Sequence, residues 1–201
     1  MFNRIKIILS SIYNKLKWLS FGSERSQLEL VFPKSKINNY IEYQLDEDYT
    51  IVNYNKKYNN ELCLLYTKSG FDFNSVTKLN EALYLCVPNG FKLVLHNKSN
   101  KIVAAFMARH LSDKNYFFGG RLDWLVVHES HRGNKLGYIV TVLCVNRLIE
   151  IGYKKIYVTT DEFRLAAVKT FLNVGFVPNY YSSQIKIKWE KVFNKLKNNS
   201  R

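Results

Sequence analysis

The stretch Val127-His-Glu-Ser-His-Arg-Gly-Asn-Lys-Leu-Gly-Tyr138 joins two apolar segments. The segment before it, Arg121-Leu-Asp-Trp-Leu-Val-Val127, is rich in the branched and aromatic residues that are typical of a strand. After it, apolar residues fill most positions from Leu136 to Ile151, as in a helix whose surface is largely covered. The stretch is therefore predicted to be a polar loop between a buried strand and a buried helix.

This loop has the composition of an anion-binding site. The first N–H groups of a helix have no intrahelical partner, and the positive end of the helix dipole lies there. Arg132 and Lys135 add positive charge, while Gly133 and Gly137 let a ligand approach the backbone closely. Together these features suit a pyrophosphate. The spacing matches neither the phosphate loop of nucleotide hydrolases nor the dinucleotide fingerprint. A polar turn with a helix cap is the alternative interpretation.

The segments around the loop predict a mixed α/β domain. Downstream, a strand over 156–159 and a helix over 162–174 complete a strand–helix–strand–helix run, which requires a parallel strand pair and a right-handed crossover. Upstream, strands over 91–96 and 102–109 flank the turn Asn97-Lys-Ser-Asn100 and predict an antiparallel hairpin. The remaining predicted elements are a first strand over 51–54, helices over 56–69 and 75–86, and a C-terminal helix carrying Trp189, Val192, Phe193 and Leu196.

The N-terminal part is predicted to be an extension of the domain. The spacing of apolar residues predicts a basic amphipathic helix over 1–21, with an apolar stripe of Ile5, Ile8, Leu9, Ile12, Leu16 and Leu19. Such a segment either makes a peripheral contact with an anionic membrane surface, packs on the domain as an extra helix or is a frayed extension. Residues 21–36 contain Gly, Ser and Pro and are predicted to be a linker. We therefore divide the chain into an extension and linker over 1–35 and a domain over 36–201.

Composition narrows the function classes. The net charge of +14 is concentrated at the ends, because residues 1–25 carry five Lys and Arg against one Glu and residues 185–201 carry six against one. With Lys far more frequent than Arg, this pattern does not favour a nucleic-acid partner. The His128-Glu-Ser-His131 cluster falls in a turn with no third ligand at a recognisable spacing, so no metal is predicted. A reducing, cytoplasmic compartment is predicted from three widely spaced cysteines, Cys63, Cys86 and Cys144.

Two motifs carry a resemblance to a known family. Arg132-Gly-Asn-Lys-Leu-Gly137 resembles the Arg/Gln-x-x-Gly-x-Gly/Ala loop of the GNAT superfamily, the acyl-CoA-dependent N-acyltransferases, with Lys135 where the loop usually has its middle Gly. The segment from Thr160 to Pro178 is similar to that superfamily's next segment, in which an Ala four residues before an aromatic precedes a Gly-Phe helix stop. The region Gly120 to His128 and Trp189 resemble a small bacterial-type branch.

The resemblance implies a GNAT fold, with a central mixed antiparallel and parallel sheet flanked by helices. It also implies an N-acetyltransferase that uses acetyl-CoA as co-substrate and acetylates a primary amine of a small molecule or peptide by direct attack. The cofactor's pantetheine arm would pair with Leu125, Val126 and Val127. Its pyrophosphate would lie on Arg132, Gly133, Asn134, Lys135, Leu136, Gly137 and Tyr138, and Arg164 stands where a family Asn touches the cofactor.

The general base has two candidates. Strand alternation places Asp123 on the same side as Leu125 and Val127, and Glu129 follows the end of the strand. Either carboxylate could take a proton from the amine, while a backbone N–H of the strand stabilises the oxyanion. The alternatives are a structural hydrogen bond for Asp123 and a solvated turn carboxylate for Glu129. Water could then remove the proton.

The general acid stays unassigned. Phe171 occupies the position where many members of the superfamily carry a tyrosine that protonates the departing sulfur. This leaves a second functional hypothesis open, a non-catalytic acyl-CoA-binding sensor or interaction module. Asp161, directly before a predicted helix, is expected to be its N-cap rather than a site residue.

Overall fold

The computed structural model describes residues 27–111 and 117–198. Its strands are β1 (Leu28–Val31), β2 (Tyr49–Asn53), β3 (Cys86–His96), β4 (Lys101–Leu111), β5 (Gly119–Val127), β6 (Ile156–Thr160) and β7 (Val177–Pro178). Its helices are α1 (Asn59–Lys68), α2 (Val76–Leu83), α3 (Leu136–Ile151), α4 (Leu165–Val174) and α5 (Ser183–Asn198). Short 3-10 turns lie at Lys34–Lys36, Lys56–Tyr58 and Glu129–His131. Among the helices of these residues, none is long and apolar enough to cross a membrane.

One mixed sheet runs through the molecule in the order β2-β3-β4-β5-β6-β1-β7. The predicted hairpin is confirmed as β3 and β4, which pair antiparallel. The predicted parallel pair is β5 and β6, joined through α3, whereas the other neighbouring pairs are antiparallel. The mixed α/β architecture predicted from the sequence is therefore confirmed.

Strand β1 corrects the interpretation of residues 21–36 as a linker. β1 lies inside the sheet, antiparallel to β6 on one side and to β7 on the other. Leu28 and Leu30 are fully buried there. The sheet therefore begins ahead of residue 36. The strand is only four residues long, too short for its alternation to stand out from the polar residues around it. The predicted helix over 1–21 lies outside the described residues.

Helices cover both faces of the sheet. α1 and α2 pack on one face through Leu62, Leu65, Tyr66, Leu79 and Ala82. α3, α4 and α5 pack on the other face, where α3 alone buries eight side chains. Trp189 of α5 is fully buried there and stacks on Phe193 with ring centroids 5.5 Å apart. The predicted C-terminal helix is thus confirmed as a docked element of the core.

The sequence Pro88-Asn-Gly90 does not break the chain before the hairpin, as the turn residues predicted. It lies within β3, where the pairing with β4 shifts register between Cys86 and Phe91 and Asn89 has φ 55°. A Cβ added to Gly90 would lie 2.5 Å from Cγ2 of Val87, so this position has room only for glycine. The turn residues therefore bend a continuous strand instead of ending it.

Candidate functional site

The site begins where β5 and β6 separate. Their parallel pairing joins Gly120–Leu122 to Ile156–Val158 and stops there. Beyond Leu122, the edge of β5 that faces β6 has no strand partner among the described residues, so an extended ligand could pair with the backbone groups there that no side chain engages. The opening is a cleft of about 170 Å³, lined by Gln27, Phe71, Phe106, Arg121, Leu122, Asp123, Trp124, Leu125, Val158, Thr159, Thr160, Asp161, Arg164, Ala167 and Phe171.

A bulge in β5 shapes this cleft. Trp124 has φ 60°, a left-handed conformation that costs a bulky residue about 1–3 kcal/mol. Its carbonyl accepts a 2.9 Å hydrogen bond from the hydroxyl of Tyr66 on α1, and its indole lies under the guanidinium of Arg109 at 4.5 Å. Burial raises the pKa of the Tyr66 hydroxyl, so the donor keeps its proton. These two contacts hold the bulge in place.

The bulge overturns the predicted position of Asp123. Asp123 pairs with Met107 of β4, whose side chain belongs to the core on the α1–α2 face. Leu125 and Val127 instead pack against the core on the α3–α4 face. Because the bulge places an extra residue in β5 between these positions, the strict alternation of a strand fails, and Asp123 lies on the opposite face from Leu125 and Val127.

Both carboxylate oxygens of Asp123 are bound by arginines. Oδ2 accepts from Nη1 of Arg109 at 3.0 Å and Oδ1 accepts from Nε of Arg121 at 2.8 Å. The Asp123 side chain is 7% exposed, against 12% for Arg109 and 28% for Arg121. This arrangement is a largely buried ion triad, of which Asp123 and Arg121 line the cleft. It could not be predicted from the sequence, because the three charges come from two strands whose register is fixed only by folding.

The loop over 132–138 is open to ligands. Gly133 and Lys135 both have positive φ, 91° and 57°, and the chain turns through them into α3 at Leu136. Residues 132 to 135 are exposed, whereas Leu136 is buried in the core. Arg132 folds back so that its Nε lies 3.4 Å from the carbonyl oxygen of Val127. The first-turn amides of α3 therefore face a loop that its own side chains do not fill.

Gly137, at the start of α3, lies next to the end of β5 and to α4. A Cβ placed on Gly137 would meet Val127 Cγ2 at 3.6 Å and Thr170 Oγ1 of α4 at 3.8 Å, both ordinary contact distances. Thr170 is the neighbour in sequence of Phe171, which lines the cleft. The start of α3, the end of β5 and α4 thus lie next to one another. Of the predicted cofactor residues, Leu125 and Arg164 line the cleft, whereas those over 132–138 are not part of its lining. Val126 and Leu136 are buried and offer only backbone groups.

A hydrogen-bond network that the sequence analysis missed supports the loop. The amide of Asn134 donates to the hydroxyl of Tyr49 at 2.9 Å, and that hydroxyl lies 3.0 Å from Nδ1 of His131. The His131 ring packs against those of His96 and His128, with centroids 4.7 and 5.9 Å away. β2 therefore anchors the loop through Tyr49.

Within 27–111 and 117–198, no three His, Cys, Asp or Glu side chains are placed to hold a metal ion.

This network predicts a pH dependence of stability. Burial, together with the neighbouring His96 and His128, lowers the pKa of His131 below its usual 6.5. The folded protein therefore favours neutral His131, whose Nδ1 lies within hydrogen-bond distance of the Tyr49 hydroxyl. Stability should be constant above about pH 6.5 and fall as the pH drops towards the lowered pKa, because the unfolded chain binds the proton first. Thermal unfolding midpoints of the wild type and His131→Gln between about pH 5 and 8 check this. Parallel pH curves for the two proteins would refute it.

The other predicted site residues lie at the rim or outside the cleft. Glu129 is exposed on a 3-10 turn and does not line the cleft. Arg164 does line it, and its guanidinium stacks on the ring of Phe71 at 4.7 Å and lies 3.5 Å from Asp161. Asp161 is not the N-cap, because α4 begins three residues later than predicted, with Arg164 in that position. Its carboxylate instead accepts from Gln27 at 2.9 Å in the cleft wall.

Phe171 is 2% exposed and packs against Phe106 and Phe176 with ring centroids 6.0 and 6.1 Å away. It lines the cleft with an apolar ring and no proton to give. Burial raises the pKa of Cys86 to about 11 and that of Cys144 beyond the usual range, so neither thiol is an activated nucleophile. The chemistry of the cleft therefore depends on its backbone groups and on the charged residues of its wall.

Comparison with known proteins defines the class. Residues 60–176 match the profile of the Acetyltransferase (GNAT) family, which is more than half of the chain. This chain belongs to that family. The matched region runs from α1 through α4 and includes the loop over 132–138, whereas β1, β2 and α5 lie outside it.

The individual relatives either match only a short stretch of this chain or share little sequence identity with it. A stretch of 79 residues is 34% identical to Protein C13 of swinepox virus (strain Kasza), covering 39% of this chain and 15% of that protein. The fold is similar to a tandem GNAT protein from the clavulanic acid biosynthesis pathway, with a TM-score of 0.59 and 13% identity over 76% of this chain and 50% of that one. A GNAT-family acetyltransferase from Colwellia psychrerythraea gives 0.58 and 15%, over 76% and 52%. The chain thus spans about half the length of these two structural relatives.

The NatC complex bound to Gag peptide and CoA is also similar, with a TM-score of 0.58 and 15% identity over 68% of this chain and 92% of that one. At these identities the structural likeness establishes the fold. It agrees with the family assignment, and it leaves the acceptor to be argued from the cleft itself.

Proposed function

We propose that this protein is an acyl-CoA-dependent N-acetyltransferase that uses acetyl-CoA as co-substrate and acetylates a primary amine of a small molecule or peptide. The observation that carries the proposal is the exposed loop over 132–138 at the start of α3, which lies next to the end of β5 beyond the point where β5 and β6 separate. Membership of the GNAT family and the CoA bound to the similar NatC complex support the same cofactor. Metal plays no part in this proposal.

In the proposed reaction the lone pair of a neutral amine attacks the thioester carbon. The carbonyl electrons move onto oxygen, where an N–H of the open edge of β5 stabilises the charge, and they return as the C–S bond breaks. The sulfur leaves as a thiolate, which is a reasonable leaving group because a thiol pKa lies near 8.5. The amine loses one proton, so the products are an amide, a CoA thiol or thiolate and, where the thiolate stays unprotonated, one proton.

Each of the predicted residues has a role in the proposed reaction. The backbone of Leu125, Val126 and Val127 would pair with the pantetheine arm. Arg132, Gly133, Asn134, Lys135, Leu136, Gly137 and Tyr138 would hold the pyrophosphate through first-turn amides and positive charge, and Arg164 would contact the cofactor at the cleft. Of the two candidate bases, Asp123 reaches the cleft but has both oxygens engaged, and Glu129 remains a candidate only through water. We therefore propose that the amine loses its proton to water in the open cleft.

The test is equilibrium binding of acetyl-CoA to the purified chain, together with Gly137→Leu. Alanine fits at this position because its Cβ meets only ordinary contacts. A leucine side chain extends further, into the space between α3, the end of β5 and α4 where the pyrophosphate is proposed to bind, so we expect the Kd for acetyl-CoA to rise by about tenfold or more, which is about 1.4 kcal/mol. Gly137→Ala is the matched control and should bind normally. Failure of the folded wild type to bind millimolar acetyl-CoA would remove the proposal, and normal binding by Gly137→Leu would remove the phosphate placement.

The second candidate function is a non-catalytic acyl-CoA-binding module. It is favoured by Phe171, whose apolar ring stands in the cleft where a proton donor is common in the family. Thiol release from acetyl-CoA across a panel of amines separates the two functions, because a binding module gives cofactor affinity without amine-dependent release. Phe171→Tyr should accelerate release only if transfer already occurs.

We further propose a reducing, cytoplasmic location. Cys63, Cys86 and Cys144 are free thiols, as expected for a protein outside oxidising compartments. A peripheral membrane contact through residues 1–21 remains a prediction of the sequence. A nucleic-acid partner is not part of the proposal.

A further inference from the structure

The cleft lining carries two arginines and two aspartates, and a third arginine outside the lining, Arg109, pairs with one of those aspartates. Arg109 and Arg121 share the single carboxylate of Asp123, while Arg164 has its own partner in Asp161. The Nε of Arg109 is buried and is without a hydrogen-bond partner among the residues that the structure describes. A buried cation is costly unless it is paired and hydrogen-bonded. The ion triad formed by Arg109, Asp123 and Arg121 is therefore short of one anion.

Arg121 is the member of the triad that an anion could reach. It lines the cleft and is 28% exposed, whereas Arg109 is 12% exposed and does not line it. Arg121 donates its Nε to Asp123, and across 27–111 and 117–198 no partner is recorded for its Nη1 and Nη2 edge. A guanidinium edge binds a carboxylate or a phosphate with two parallel hydrogen bonds.

The position of Arg121 relates this edge to the reacting groups. Arg121 lies one residue before the end of the pairing between β5 and β6, and four residues before Leu125 on β5. Its ion-pair partner Asp123 faces the α1–α2 side of the sheet, opposite to Leu125 and Val127. An acceptor held by Arg121 would therefore approach from the face opposite to the side chains of Leu125 and Val127, the residues proposed to pair with the cofactor.

We infer that the acceptor is an amine that also carries an anionic group, a carboxylate or a phosphate, and that Arg121 binds this group while Asp123 positions Arg121. The inference rests on the proposed function and names its substrate class. In this arrangement the substrate anion restores the charge balance of the ion triad. Asp123 is a positioning residue and not the general base.

The experiment measures thiol release from acetyl-CoA with matched acceptors. One arm uses α-, β- and γ-amino acids, a second uses the amides and decarboxylated amines of the same skeletons, and a third uses amino sugar phosphates with the unphosphorylated sugars. We expect the anionic member of at least one set of pairs to be preferred, and the arms distinguish carboxylate from phosphate. Equal or better transfer to the neutral members, or no transfer to any anionic member, would overturn the inference.

Arg121→Gln gives the second readout. The variant should fold, because Asp123 keeps Arg109 as a one-to-one partner. We expect kcat/KM for the preferred anionic acceptor to fall about 10- to 100-fold, mainly through KM, with little change for its neutral counterpart. Arg121→Lys should restore part of the loss, since it returns the charge without the two-pronged edge. A preference that survives Arg121→Gln would overturn the assignment to this residue.

Two controls separate this inference from the proposed function. Arg147→Gln removes an arginine that pairs with Glu150 on the surface of α3 and does not line the cleft, so acceptor preference should not change. Acetyl-CoA binding should be normal in Arg121→Gln. If the wild type itself binds no acetyl-CoA, the proposed function fails. If it binds acetyl-CoA and prefers neutral amines, only the inference fails.

Discussion

Asp123→Ala should destabilise the fold by about 3–5 kcal/mol, the range for removing one partner of a buried ion pair. The substitution leaves the guanidinium groups of Arg109 and Arg121 without the carboxylate that they share. It also removes the contact that orients Arg121. The free energy of unfolding, measured by urea denaturation, checks the expected loss.

Glu129→Gln is the matched control, since Glu129 is the other candidate carboxylate and is exposed. Its stability should stay within about 0.5 kcal/mol of the wild type. Asp123→Asn keeps the shape of the side chain but not its charge, and should also destabilise the fold. An Asp123→Ala protein as stable as the wild type would show that the ion triad has no structural role, and would reopen the assignment of Asp123 as a general base.

Trp189→Ala should cost about 3–5 kcal/mol of stability, as is usual when a fully buried aromatic residue is truncated. Trp189 is the largest fully buried side chain described and attaches α5 to the core on the α3–α4 face. Its indole Nε1 is buried without a hydrogen-bond partner in the described part of the chain. Trp189→Phe should therefore cost less, because it keeps much of the apolar packing and removes that polar group.

Ile187→Ala on the same helix provides the control, as Ile187 is 52% exposed and its truncation should change stability by less than about 0.5 kcal/mol. Thermal and urea unfolding of the three variants compare them directly. If Trp189→Ala unfolded like Ile187→Ala, α5 would not contribute to the core. The measurement tests an element that the family match does not cover, because α5 lies outside the residues that match the GNAT profile.

The position of Arg164 agrees with the resemblance to the family, but its contacts were not predicted by it. The sequence places it where a family residue contacts the cofactor, and the structure does place it in the cleft. Its closest recorded neighbours there are Phe71, Phe163 and Asp161 rather than the loop over 132–138. Its stack on Phe71 links α4 to the segment between α1 and α2. That contact, like the ion triad, belongs to this chain and not to the motif.

The sequence by itself determined the order of the main helices and strands, the loop over 132–138 and the family, because periodicity and turn residues act over a few neighbouring positions. Only the tertiary structure decided the bulge at Trp124, the face of Asp123 and the place of β1. Each depends on partners far apart in the chain: Tyr66 and Trp124 are 58 residues apart, Tyr49 and His131 are 82 apart, and Gln27 and Asp161 are 134 apart. A strand's register, and therefore the side to which each residue points, is set by such partners and not by its own pattern.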